Sequence, residues 1–382
     1  LRFTSSIAGE TLNLGRGTLS GVEQVVIGTG TLAAADTTGT TALNVNAQGI
    51  SYGLTIIGNA GNNILIGGSN NDSIFGGDGD DTLSGGNDTL PVGSIYNDRI
   101  DGGDGFDIVS YSNAKAGVTV QLWECYDVNP GNDNRAAGVG VDYLYNIEGI
   151  FGSYYNDVLT GNSEDNLIDG ATGNDSITGK EGNDTLFGRE GNDTLQGGAG
   201  NDTIDGGSGF DTVSYSDAIA RVYVDLNVGR QPELAGDISN VAAGVGADLL
   251  SSIEGIIGSK YDDILLGSDA TPEEGFDIAN IIYGGGGNDY IDGSEPCDQT
   301  NVVIGSETDV LLNIEGIIGS NFDDLLVGNS ITNILYGADG NDTIKAGDCN
   351  DTLEGGYGKD TLTGGEGADC FVFNSTLNAT NN

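Results

Sequence analysis

A nine-residue unit, Gly-Gly-x-Gly-x-Asp-x-(Leu/Ile/Val/Phe)-x, recurs along most of this chain and constrains its fold more than any other feature. It stands clean at Gly76-Gly77-Asp78-Gly79-Asp80-Asp81-Thr82-Leu83-Ser84, again at Gly197-Gly198-Ala199-Gly200-Asn201-Asp202-Thr203-Ile204-Asp205, and again at Gly355-Gly356-Tyr357-Gly358-Lys359-Asp360-Thr361-Leu362-Thr363. The glycines permit positive φ and close backbone approach, so the first six residues suit a tight turn. The last three alternate polar, apolar, polar, the period of a short strand with one buried side chain. Two units make a coil of about eighteen residues whose strands stack about 4.8 Å apart in parallel sheets. The expected fold is therefore all-β: a right-handed parallel β-roll, or solenoid, with two short strands per coil, irregular loop insertions and a thin aliphatic core.

Position six of each unit carries a carboxylate. Asp175, Asp193 and Asp211 are eighteen residues apart and fall on one edge of the coil, while Asp184 and Asp202 fall on the other. Stacked carboxylates repel unless a cation lies between them. Calcium suits such a place because it takes six to eight oxygen ligands, carboxylates and backbone carbonyls among them. Magnesium demands a tighter octahedron and keeps its waters. The chain has no histidine and no clustered cysteine, which argues against zinc or copper. The candidate calcium ligands are Asp72, Asp81, Asp98, Asp107, Asp157, Asp175, Asp184, Asp193, Asp202, Asp211, Asp263, Asp289, Asp324, Asp342, Asp351, Asp360 and Asp369. Asn63, Asn166 and Asn333 stand at the same position and offer only a neutral ligand. Without calcium, a thin and glycine-rich core does not offset chain entropy, so disorder is the expected metal-free state.

The chain divides into unequal stretches. Residues 1–57 lack the Gly-Gly turns and read as a β-rich stack or cap over the first coil. Repeats occupy 58–101. A wider coil with a loop insertion follows at 102–151, then repeats at 152–214. A second insertion unit spans 215–257, degenerate repeats with a shortened third unit span 258–318, and repeats resume at 319–373 before a polar tail at 374–382. The wider unit is itself repeated. Gly105-Phe106-Asp107-Ile108-Val109-Ser110-Tyr111-Ser112 matches Gly209-Phe210-Asp211-Thr212-Val213-Ser214-Tyr215-Ser216. Ile147-Glu148-Gly149-Ile150 matches Ile253-Glu254-Gly255-Ile256 and Ile314-Glu315-Gly316-Ile317. Side loops are expected near 124–140 and 227–247, and Glu148, Glu254 and Glu315 as structural or secondary calcium ligands.

Composition narrows the function. With 58 acidic and 12 basic residues the net charge is −46, which opposes binding to nucleic acid or anionic membrane. No apolar run reaches the ~20 residues of a membrane helix. The absence of histidine removes His-based triads, and the clustered acids fall in the repeat register, so the chain is not expected to be an enzyme. Cys125, Cys297, Cys349 and Cys370 form no CxxC pair and are expected as free thiols. No signal peptide is expected at Leu1, and both ends are expected to be cut from something longer.

The repeat resembles the RTX, or haemolysin-type calcium-binding, family over about residues 58–373. The resemblance implies a roll loaded with several calcium ions and export by type I secretion. The Gly367-Ala368-Asp369-Cys370-Phe371-Val372-Phe373 segment is similar to the stretch that leads into that family's secretion region. Two functions are weighed. One is a secreted structural protein of the bacterial surface, an S-layer, sheath, matrix or filament, with its own copies as head-to-tail partners. The other is the calcium-dependent folding and secretion segment of a larger toxin, hydrolase or adhesin. A surface glycan is a further partner class, and an outward threonine ladder suggests an adhesin or ice-binding face.

Overall fold

The computed structural model describes residues 1–15, 22–31, 34–86, 97–122, 135–137, 142–226, 246, 248–267, 280–287, 289–292, 302–304, 310–312, 316–319 and 323–373. Every regular element among them is a strand, as the period-two pattern requires. The chain divides into two compact units, Leu1–Thr194 and Leu195–Asn382.

In the first unit, strands Arg2–Phe3, Gln24–Ile27, Thr55–Ile57, Ser73–Asp78, Arg99–Asp104 and Tyr143–Tyr145 build one sheet in that order. The companion sheet runs from Thr11–Asn13 through Asn44–Asn46, Ile64–Ile66, Thr82–Ser84, Ile108–Ser110, Gly149–Phe151 and Leu167–Asp169 to Thr185–Glu190. All these pairings are parallel, with registers such as Leu167↔Thr185 and Val158↔Ser176 that set the coil at eighteen residues. The described strands before residue 58 therefore continue the same two sheets, Val25 pairing with Ile56 and Val45 with Leu65, apart from the antiparallel pair Thr29–Thr31 and Ala34–Asp36. Apolar side chains line up facing inward along both sheets. Leu65, Leu83, Val109, Ile150, Ile168 and Leu186 are fully buried along one sheet, and Ile56, Ile74 and Ile100 along the other. Each contributes about 1.5–3 kcal/mol by leaving water.

The wider unit changes one wall of the roll. Thr119–Gln121 starts a third sheet, continued by Val158–Thr160 and Ser176–Glu181. Tyr143–Tyr145 comes later in sequence yet is the last strand of the first sheet. The insertion thus ends one sheet and begins its replacement, with Arg135–Ala137 added antiparallel to Thr119–Gln121. The rest of the expected 124–140 loop, and all of the 227–247 loop but Gly246, lie outside the described residues.

The second unit repeats the manoeuvre. Leu249–Ser251 pairs with Thr203–Ser208, while Tyr223–Asp225 opens a sheet continued by Ile264–Leu266, Tyr290–Asp292 and Val310–Leu312. A further sheet of Leu325–Val327, Thr343–Asp348 and Thr361–Glu366 then takes over. One wall runs through these changes, from Thr212–Ser214 by way of Gly255–Ile257, Ile281–Tyr283, Val302–Ile304, Gly316–Ile318, Ile334–Tyr336 and Thr352–Glu354 to Cys370–Val372. Cys349 and Cys370 are exposed free thiols, Cys125 and Cys297 lie outside the described residues, and Cys349 takes φ 81°, the left-handed conformation of the glycine it replaces.

Candidate metal centre

The position-six aspartates turn inward. Asp72, Asp81, Asp98, Asp107, Asp157, Asp175, Asp184, Asp193, Asp202, Asp211, Asp263, Asp289, Asp324, Asp342 and Asp351 are all buried, and Asp360 and Asp369, in the last coils, are half-buried. The buried ones would be costly as bare charges. One oxygen is settled by the roll itself. The Oδ1 accepts the backbone N–H at the matching position one coil earlier, as in Asp175 from Asp157 at 2.8 Å, Asp193 from Asp175 at 2.7 Å and Asp107 from Asp81 at 2.8 Å. In the second unit Asp289 accepts from Asp263 at 2.8 Å, Asp342 from Asp324 at 2.9 Å and Asp351 from Asn333 at 2.9 Å.

The other oxygen sorts the turns. At Asp81, Asp107, Asp175, Asp342 and Asp351 the Oδ2 is buried with no hydrogen-bond partner. In each of these turns the residue four positions earlier lies in the left-handed region: Gly77 at φ 121°, Gly103 at 114°, Ala171 at 73°, Ala338 at 76° and Gly347 at 119°. The same conformation precedes Asp184, Asp193, Asp202, Asp211, Asp289, Asp360 and Asp369, at Lys180, Arg189, Gly198, Gly207, Gly285, Gly356 and Gly365. Asp72, Asp157 and Asp263 differ. Their Oδ2 atoms accept the backbone N–H of Gly68 at 2.7 Å, Ser153 at 2.6 Å and Ser259 at 2.5 Å. The Ser153 and Ser259 hydroxyls donate to the Oδ1 atoms as well. Asn63, Asn166 and Asn333 take the same backbone donor, from Asn59, Asn162 and Asn329. The residues four before Asp98 and Asp324 lie outside the described residues.

The glycines explain themselves from this geometry. The first glycine of a unit lies against the carboxylate, so that a Cβ at Gly76 would meet Asp81 Oδ2 at 2.1 Å and one at Gly170 would meet Asp175 Oδ2 at 2.3 Å. Later glycines lie over the carbonyls of the coil below. A Cβ at Gly191 would come within 1.6 Å of the Gly173 oxygen, and one at Gly358 within 1.5 Å of the Gly340 oxygen. The turn glycines thus lie against carboxylate oxygens on one side and carbonyl oxygens on the other, and oxygen is the donor type that calcium takes. Among the described residues no three acidic or thiol side chains gather on one point, so backbone carbonyls must supply most ligands. The residues present fit calcium in the turns with a left-handed residue four before the acid.

Burial is the chief cause of the acids' altered titration. It pushes Asp81, Asp107 and Asp175 up to about 7 against the backbone N–H that each accepts, with neighbouring carboxylates adding to the rise. Asp342 is raised to about 6 in the same way. Burial also raises Asp157, Asp193 and Asp263, again against their hydrogen bonds. Burial thus shifts these sites toward the protonated form, which a bound cation would oppose.

Several partners escape a reading of the repeat alone. Asp142 and Asp248 take the place of position six in the wider coils. Their Oδ1 atoms accept the N–H of Asp98 at 3.2 Å and of Asp202 at 3.1 Å. Their Oδ2 atoms accept the buried hydroxyls of Tyr111 at 3.4 Å and Tyr215 at 3.1 Å. Glu148 and Glu254 accept the N–H of Asp107 and Asp211, which places them in the same ladder, while Glu315 lies outside the described residues. The alignment of Asp142-Tyr143-Leu144 with Asp248-Leu249-Leu250 carried that signal. A second ladder runs at position five, where Asn156 accepts from the Asn174 N–H and Asn174 from the Asn192 N–H, both at 3.0 Å. The recurrent Asn-Asp pair was its trace.

The model of the RTX calcium-binding nonapeptide repeat, itself four copies long, matches residues 56–90, 92–110, 151–186, 178–213, 274–295, 318–353 and 347–374. No curated protein matches the chain. The matched stretches cover more than half of its length and coincide with the coils whose buried acids face turn carbonyls, and the chain belongs to the RTX calcium-binding repeat family.

Proposed function

We propose that this is an extracellular structural protein of a bacterial surface, part of an S-layer, sheath, matrix or filament, whose roll is assembled by calcium. The observation that carries the reading is the uniformity of the described chain. From Leu14 to Leu353 its buried side chains belong to stacked coils, and its inward acids are tied into the ladders that hold those coils together. In this reading Asp81, Asp107, Asp175, Asp184, Asp193, Asp202, Asp211, Asp289, Asp342, Asp351, Asp360 and Asp369 hold the ions together with turn carbonyls, and the chain has no catalytic role. Calcium supplies the positive charge that lets the buried carboxylates stay ionised. Binding then becomes folding energy, because the site does not exist in the open chain. The partner is a second copy, since lowering the −46 charge weakens mutual repulsion. Among the described residues no helix is long and apolar enough to cross a membrane.

A second reading has its own support. Buried acids that lack a partner make the fold conditional on calcium, which suits a segment that stays open where calcium is scarce and closes outside the cell. The chain would then be the export and folding segment of a larger toxin, hydrolase or adhesin. Negative-stain microscopy of the chain in millimolar calcium and in chelator separates the two. Extended or lattice-like assemblies in calcium alone support the structural protein. Single chains at every concentration refute it and favour the export segment.

A further inference from the structure

The inward acids look alike in sequence, yet the turns that carry them differ in one backbone angle. Where the residue four before the acid is left-handed, its N–H is not donated to the carboxylate, as at Asp81, Asp107, Asp175, Asp342 and Asp351. Where that residue is outside the left-handed region, its N–H closes on Oδ2 at 2.5–2.7 Å, as at Asp72, Asp157 and Asp263. Gly68 belongs to the second group although it is a glycine, because it does not use positive φ here. A carboxylate that accepts two or three donors is hydrogen-bonded at both oxygens without a cation, each donor offsetting part of the burial that favours its proton. One that accepts a single N–H and is otherwise buried is not.

Accordingly, and resting on the calcium reading above, we infer that the conformation four residues before each acid decides whether a turn takes calcium, so that Asp72, Asp157 and Asp263 are not calcium ligands. In their turns the backbone amide occupies the place of the ion. These turns, with those of Asn63, Asn166 and Asn333, form metal-independent coils set between metal-dependent ones. Asp157 shows the contrast most sharply. It stands one coil before Asp175 on the same edge and donates its own N–H to the Asp175 Oδ1 at 2.8 Å, yet its Oδ2 is closed by Ser153 while that of Asp175 has no partner. The general consensus of the repeat marks both as ligands; the backbone separates them.

The test is a matched pair. Asp157→Asn and Asp175→Asn each replace an acid whose Oδ1 accepts one backbone N–H from the preceding coil, a bond that the amide oxygen of Asn can keep; Asp157→Asn alone also disturbs the two bonds from Ser153, so the ion count rather than stability is the deciding readout. Bound calcium is counted by equilibrium dialysis with metal analysis on the full chain, and the calcium midpoint is read by circular dichroism. Asp175→Asn should lose at least one ion per chain and raise the midpoint several-fold. Asp157→Asn should bind as many ions as the parent. An equal loss in the two variants, or an unchanged count in Asp175→Asn, overturns the inference. A parent chain that binds no calcium overturns instead the calcium reading on which it rests. Asp263→Asn and Asp351→Asn repeat the comparison in the second unit, should either first variant fail to fold.

Discussion

Acid should fold the metal-free chain. In the folded state burial raises Asp81, Asp107 and Asp175 to about 7, whereas an open chain leaves a carboxylate near about 4. A group raised on folding stabilises the fold fully below its unfolded value, and that stability is lost as pH rises through the folded value. Between pH of about 4 and about 7 each such acid holds one extra proton in the fold, and the folding equilibrium shifts about tenfold per pH unit. Three of them in the first unit give about a thousandfold per pH unit in the middle of that window. The assay is far-ultraviolet circular dichroism in chelator from pH 8 to 5.5, which stays above the isoelectric point of about 4.1. β-structure should appear as pH falls. Replacing all three acids with Asn should flatten the slope, because an amide does not titrate. A metal-free chain no more ordered at pH 5.5 than at pH 8 would refute the reasoning. So would a triple variant with the parent's slope, since general relief of the −46 charge would then account for the effect. The loaded chain should behave oppositely, its calcium midpoint rising as protons compete for the same oxygens.

Gly191→Ala should destabilise the calcium-loaded roll by more than about 1 kcal/mol, because φ is 139° and the new Cβ would lie 1.6 Å from the Gly173 oxygen; Gly286→Ala, with its nearest neighbour at 3.5 Å and no positive φ, should melt close to the parent. Leu186→Ala removes a fully buried side chain and should cost about 2–5 kcal/mol in denaturant unfolding at saturating calcium. Tyr111→Phe takes away the hydroxyl that Asp142 Oδ2 accepts and should cost about 1–3 kcal/mol while leaving the bound-calcium count unchanged; loss of an ion there would mean that Asp142 is itself a ligand.

Much of this was open to view in the residues, and the gaps have physical causes. The nine-residue register placed Leu83, Ile168 and Leu186 in the core and Asp81 and Asp175 in the turns, since strand alternation and glycine turns leave few alternatives. The same register could not show that Asp157 is capped by Ser153, because the difference is the sign of a backbone angle. Ala171, Lys180 and Arg189 make the point from the other side: each takes positive φ at a position where the repeat has glycine, so residue type alone misjudges it. Of the β-rich stack or cap expected for residues 1–57, the described strands form the stack, because strands without Gly-Gly turns still pair in parallel when the coil is wider. The wall change at Thr119–Gln121 was illegible for another reason. Sequence similarity between the two long units showed that they do the same thing, but not that each ends one sheet and starts another.

That wall change also accounts for where side chains take the place of metal. In the calcium reading proposed above, a turn that takes the ion needs the turn of the adjacent coil beneath it, so that backbone carbonyls can join the carboxylate oxygen. Coils that repeat at eighteen residues provide this, as between Asp175 and Asp193. In the long units the acid ladder instead spans 44 residues from Asp98 to Asp142 and 41 from Asp107 to Glu148, and 46 and 43 residues at the equivalent places of the second unit. One wall is ending at that level, so the turn stack on its side is interrupted. A lone buried carboxylate there would be as costly as elsewhere. The chain meets the need with neutral donors, the Tyr111 and Tyr215 hydroxyls on Asp142 and Asp248, and with the longer reach of Glu148 and Glu254 to the N–H groups of Asp107 and Asp211. The tyrosines are buried, and burial with the neighbouring carboxylates drives their own ionisation well above the usual range, so they remain donors at any physiological pH. The Ser-Tyr-Ser and Ile-Glu-Gly elements recur together because both belong to one splice in the roll.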